Sequence, residues 1–96
     1  MIVGFSDEAE HDLEVIGDHI ALDNPARART FVAKLRQKCH ALAELPRGFP
    51  LVRRYESRGI RKRTHGNYLI FYRITGERIT VLHVLHSAMD YGDLLL

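Results

Sequence analysis

The feature that most constrains this chain is a change of hydrophobic period at Pro46. Before it, apolar residues recur at steps of three and four: Ala9, Leu13, Ile16 and Ile20, then Ala28, Phe31, Leu35, Cys39 and Leu42. That spacing puts each set on one face of a helix. After it, Ile60 to Thr64, Tyr68 to Thr75 and Ile79 to His86 are rich in β-branched and aromatic residues, the signature of strands. Arg47-Gly48-Phe49-Pro50 reads as the loop between the two regimes.

Local signals set the boundaries. Ser6 is a good N-cap, followed by the acidic first turn Asp7-Glu8, so the first helix is expected from about Asp7 to Ala21, after a short strand at Ile2-Val3-Gly4-Phe5. Asp23-Asn24-Pro25 stops it and starts a second helix, with Asn24 as cap and Pro25 where its missing N–H costs nothing. His65-Gly66-Asn67 and Gly76-Glu77 are hairpin signals, and Val52 to Glu56 is a candidate extra strand. The expected architecture is α+β: an N-terminal strand, then a helical hairpin packed on one face of a three- to four-stranded antiparallel sheet, leaving the other face to a partner. With 96 residues, a single domain over residues 1–96 is expected, because two cores would not fit.

Charge is segregated along the chain. Residues 1–23 hold seven acids and no Lys or Arg, whereas residues 24–63 hold twelve bases against Glu44 and Glu56. This suits a basic surface that meets an acidic partner, or an acidic helix that pairs with the basic segment. The sharpest basic string is Arg58-Gly59-Ile60-Arg61-Lys62-Arg63 across a tight turn from Tyr68 to Arg73. Alternation places Arg61 and Arg63 on one strand face, where guanidinium groups among aromatics suit phosphates or carboxylates.

Other chemistry finds little support. His83 and His86, three apart on a strand, point to opposite faces, so no metal site is expected. The single Cys39 reads as a small buried hydrophobe, with no internal disulfide, which fits a reducing compartment. The glycines are scattered singly and form no phosphate loop, so no cofactor is expected. The first residues lack the basic and long apolar regions of a secretory signal, and no stretch is long enough to span a membrane. A cytoplasmic protein is expected.

Several strings, taken in order, resemble the ParE branch of the RelE/ParE superfamily, the toxins of bacterial type II toxin-antitoxin systems. They are Ala9-x-x-Asp12-Leu13-x-x-Ile16, Asn24-Pro25-x-x-Ala28, Leu42-x-x-x-Pro46, Gly59-Ile60-Arg61, Tyr68-Leu69-Ile70-Phe71-Tyr72-Arg73 and Val84-Leu85-His86-x-x-x-Asp90. The resemblance implies a helical hairpin on an antiparallel sheet and a cognate ParD-like antitoxin whose C-terminal part wraps the toxin. It also implies DNA gyrase as the target, without direct DNA binding or catalysis by the toxin. The RelE-like alternative, ribosome-dependent mRNA cleavage, would use Arg61, Arg73, His86 and Tyr91. A third alternative is a degenerate, non-toxic antitoxin-binding homologue. ParE-like chains commonly carry Arg just before the position of Asp90, where this chain has Met89. On this reading Arg53, Arg54, Arg58, Arg61, Arg63, Arg73, Met89 and Tyr91 form the antitoxin- or target-binding set.

Overall fold

The computed structural model describes residues 1–95; Leu96 lies outside the described residues. Strand β1 (Ile2–Phe5) leads into helix α1 (Asp7–Ala21), and a tight turn leads to helix α2 (Pro25–His40). A 3-10 turn follows at Ala41–Glu44, and after the loop come β2 (Ile60–His65), β3 (Tyr68–Thr75) and β4 (Arg78–His86). The caps are those the sequence suggests: Ser6 Oγ accepts from the Ala9 amide at 3.0 Å and Asn24 Oδ1 from the Arg27 amide at 3.1 Å. Gly66 opens the β2–β3 hairpin turn with φ 59° and Gly76 the β3–β4 turn with the same value, the backbone region that side chains resist.

The sheet order is β1-β4-β3-β2. The three C-terminal strands form the expected antiparallel meander, but β1 pairs with β4 in parallel, Ile2 opposite Arg78 through Phe5 opposite Val81. The sheet is therefore mixed rather than wholly antiparallel. The helical hairpin is the crossover that makes this possible, since parallel neighbours need a long connection. Val52 to Glu56 is not a strand. Only a bridge between Leu51 and Arg61 forms there, and Arg54 turns the chain aside with φ 76° into a 3-10 turn at Glu56–Arg58.

A bulge sets which residues of β4 face the helices. Phe71 pairs with His83 but Tyr72 with Val81, so Leu82 is the extra residue, and alternation is inverted across it. Ile79 and Val81 before the bulge and Val84 after it all enter the main core, together with Ile70 and Tyr72 of β3 and Ala9, Leu13, Ile16, Leu35, Cys39 and Leu42.

Past Val81, β4 has lost β1 as a neighbour, and α1 takes over its edge. The Ser6 amide donates to the Val81 carbonyl at 2.9 Å, and Ser6 Oγ donates to the Leu82 carbonyl at 2.8 Å. Asp12 Oδ2 accepts from the Val84 amide at 3.0 Å and lies 2.8 Å from His83 Nδ1. An edge strand's unpaired groups are thus satisfied by the Ser6 amide and the side chains of Ser6 and Asp12 instead of a further strand.

The second sheet face is not left open for a partner. Ile60, Leu69, Phe71 and Leu85 on it are covered by Val52 from the loop and Leu95 from the tail, with Tyr55, Leu82 and Tyr91 packed around them. The Tyr91 ring meets that of Phe71 at 4.8 Å, tilted by 50°, and the Tyr55 hydroxyl donates to the Gly92 carbonyl at 2.6 Å, tying loop to tail. A chain this short gains by covering both sides of its sheet, since each buried apolar side chain contributes about 1.5–3 kcal/mol.

Candidate functional site

The residues expected to form one binding set are divided by the sheet. Arg61 pairs with Tyr72 and Arg63 with Ile70, so both guanidinium groups lie on the helix side. Arg73 pairs with Ile60 on the other side, where Tyr91 also packs. His86 pairs with Tyr68 and meets its ring at 5.3 Å on the helix side. The four nuclease candidates are therefore split two and two, and no single substrate atom lies between them.

Arg61 and Arg63 are engaged by the chain itself. Arg61 Nη1 donates to the Phe49 carbonyl at 2.7 Å. Arg63 Nη1 donates to the Lys38 carbonyl at 3.2 Å, with its guanidinium 4.8 Å above the Phe49 ring. The Tyr72 hydroxyl donates to the Pro46 carbonyl at 2.6 Å, and burial raises its pKa, so it stays a donor. These three groups clamp the 46–49 loop onto the sheet. Arg61→Ala is expected to lower stability by about 1 kcal/mol, a fall of a few degrees in Tm by thermal denaturation.

Arg53, Arg54 and Arg58 are exposed on the loop that covers the second face. Arg58 and Arg73 also line a small recess of about 200 Å³ with Ser6, Glu8, His83 and Leu95. Met89 is 46% exposed, just after β4. No group of three His, Cys, Asp or Glu residues among the described residues could hold a metal ion. Cys39 is buried, and burial pushes its thiol up to about 12, far from the thiolate a nucleophile needs.

A larger groove lies elsewhere, along the seam between α1 and α2. It measures about 880 Å³ and is lined wholly from the helical hairpin and the residues next to it. Leu13, Gly17, Ala21, Ala28, Val32 and Ala33 give it an apolar floor; Glu10, Glu14 and Asp18 rim it on one side, and Arg29 and Arg36 on the other. The two helices approach closely at Gly17, where an added Cβ would sit 3.3 Å from Val32 Cγ2. At the end away from the hairpin turn, Arg36 grips Glu10 with two bonds of 2.8 and 2.7 Å. Arg36's hydrogen bonds hold the Glu10 carboxyl below the usual range.

The helical spacing gave no sign of this groove, because it assigns each helix's apolar stripe to the sheet and not to the seam between the helices. The signal was Gly17: a glycine in mid-helix costs about 1 kcal/mol relative to alanine, and here it admits the neighbouring helix.

The chain matches, over residues 3–91, the family model described as the ParE toxin of the type II toxin-antitoxin system parDE. Among solved structures it is similar to the chromosomal ParDE toxin-antitoxin system from P. aeruginosa. There the TM-score is 0.76 and the identity 24%, covering 90% of this chain and 95% of that one. It is also similar to the RelBE2 toxin-antitoxin complex from Mycobacterium tuberculosis, with a TM-score of 0.67 and 27% identity over 92% of each chain. No curated protein matches.

Proposed function

Since the chain belongs to the ParE toxin family of type II toxin-antitoxin systems, we propose that it is a cytoplasmic toxin that inhibits DNA gyrase and is held inactive by a ParD-like antitoxin. The observation that carries the antitoxin part is the groove between α1 and α2. Its apolar floor and oppositely charged rims fit an amphipathic helix, whose apolar stripe would lie on Leu13, Gly17 and Val32. Two solved structures to which the chain is similar are of toxin-antitoxin systems.

A target-binding mechanism without catalysis is supported by the division of Arg61 and His86 from Arg73 and Tyr91. Cleavage of RNA needs a base, an acid and cations converging on one phosphate. Poisoning by binding needs only a complementary surface. The exposed Arg53, Arg54 and Arg73, with Met89 after β4, are the side chains assigned to the target.

The deciding experiment expresses the chain without antitoxin and measures supercoiling by purified gyrase alongside mRNA integrity. Inhibited supercoiling with intact mRNA is the expected result. Cleaved mRNA with normal supercoiling would overturn the proposal in favour of a RelE-like nuclease, and no effect on either would favour a degenerate homologue.

A further inference from the structure

A second surface, on the side of α2 next to the β2–β3 hairpin, carries a row of cations and rings. Arg27, Phe31, Lys34 and Lys38 follow at steps of four, three and four, so they form one stripe about 17 Å long on the helix. The Arg27 guanidinium sits 5.9 Å from the Phe31 ring centre. Phe31 in turn meets Tyr68 at 5.5 Å and His65 at 6.1 Å, and Tyr68 meets His86 at 5.3 Å. Phe31 and Tyr68 are only half-buried, leaving part of each ring at the surface. A shallow depression of about 400 Å³ lies beside Arg27, Thr30, Phe31 and Lys34.

The electrostatics of this stripe are one-sided. The ion pairs among the described residues are Arg36 with Glu10 and His83 with Asp12; none involves Arg27, Lys34 or Lys38. Burial and the nearby positive charges of Lys38, Lys34 and Arg63 lower the pKa of His65, which leaves it a neutral imidazole at pH 7 beside the rings. Six of the chain's twelve acids lie on α1, on the far side of the seam, and α2 carries none.

We propose that this stripe, Arg27-Phe31-Lys34-Lys38 with Tyr68, binds a single-stranded polynucleotide, its phosphates on the cations and its bases on the two rings. The resemblance implies no direct DNA binding, and its mRNA-cleaving alternative uses other residues, Arg61, Arg73, His86 and Tyr91. Binding on the stripe is independent of the gyrase proposal, because it concerns a different surface from that assigned to the target. The pattern of rings interleaved with unpaired cations suits strands whose bases are free to stack. An acidic peptide would use the cations but would have little use for Phe31 and Tyr68.

Fluorescence anisotropy of labelled twenty-nucleotide dT and U oligomers with the full chain tests this, an Asp/Glu-rich peptide of equal length serving as competitor class. Both oligomers are expected to bind at 50 mM salt, with a log–log salt slope of about −2 from three phosphates at about −0.7 each. The double substitution Lys34→Glu, Lys38→Glu should weaken binding at least tenfold. Phe31→Leu should weaken it several-fold while leaving the salt slope unchanged, since it removes stacking and no charge. Circular dichroism on each variant confirms the fold. Preference for U over dT would assign the ligand to RNA, and the reverse to DNA. The proposal is overturned by absent oligomer binding, by binding insensitive to the charge reversal, or by an acidic peptide bound as tightly as the oligomers and indifferent to Phe31→Leu.

Discussion

Asp12→Ala is expected to lower the stability of the free toxin by about 2–3 kcal/mol, a drop of roughly 10–20 °C in Tm for a domain of this size. Asp12 is only 15% exposed in its side chain. Its Oδ2 is the shared acceptor for the Val84 amide and His83. Removing the carboxylate leaves the β4 amide without its partner just beyond the bulge, where β1 no longer reaches, and an unmet buried donor costs more than a met one gains. Asp12→Asn keeps a carbonyl acceptor for the Val84 amide and should lose less than half as much. Thermal denaturation of the two variants provides the check. Equal losses, or a loss below about 0.5 kcal/mol for Asp12→Ala, would show that α1 does not hold the β4 edge.

The second large effect concerns the antitoxin. Ala33 is exposed and lines the groove between α1 and α2, so Ala33→Trp fills the space an incoming helix would take without disturbing the core. The toxin variant is expected to keep its Tm within about 3 °C, since surface substitutions usually change stability by less than about 0.5 kcal/mol. Its affinity for the cognate antitoxin should fall at least tenfold, equivalent to about 1.4 kcal/mol. Titration calorimetry measures this directly, and in cells the variant should escape neutralisation. Unchanged affinity would move the antitoxin off the groove and back to the basic loop at Arg53, Arg54 and Arg58. Ala33→Ser, which adds little volume, should bind as the parent does.

Ala9, Leu13 and Ile16 enter the core while Asp12 holds an edge strand, so Ala9-x-x-Asp12-Leu13-x-x-Ile16 is explained by folding alone. The basic strand positions behave similarly. Arg61 and Arg63 share a face, as alternation requires, but that face looks toward the helices, and their guanidinium groups are spent in part on the carbonyls of Phe49 and Lys38. A strand pattern shows which residues go together, not which side is inside.

What the sequence determined by itself was the set of elements and their ends. Helical spacing from Ala9 to Ile20 and from Ala28 to Leu42, the caps at Ser6 and Asn24, and the glycine turns before Asn67 and Glu77 act within a few residues, so they can be read in order along the chain. The tertiary structure alone decided the parallel seat of β1 beside β4, the bulge at Leu82, the covering of the second sheet face by Tyr55, Tyr91 and Leu95, and the groove floored by Gly17 and Val32. Each of these depends on groups far apart in the chain: Asp12 and Val84 are 72 residues apart, Tyr55 and Gly92 are 37. Local propensity is blind to such pairs because their energy comes from burial and hydrogen bonding that exist only after the elements have packed.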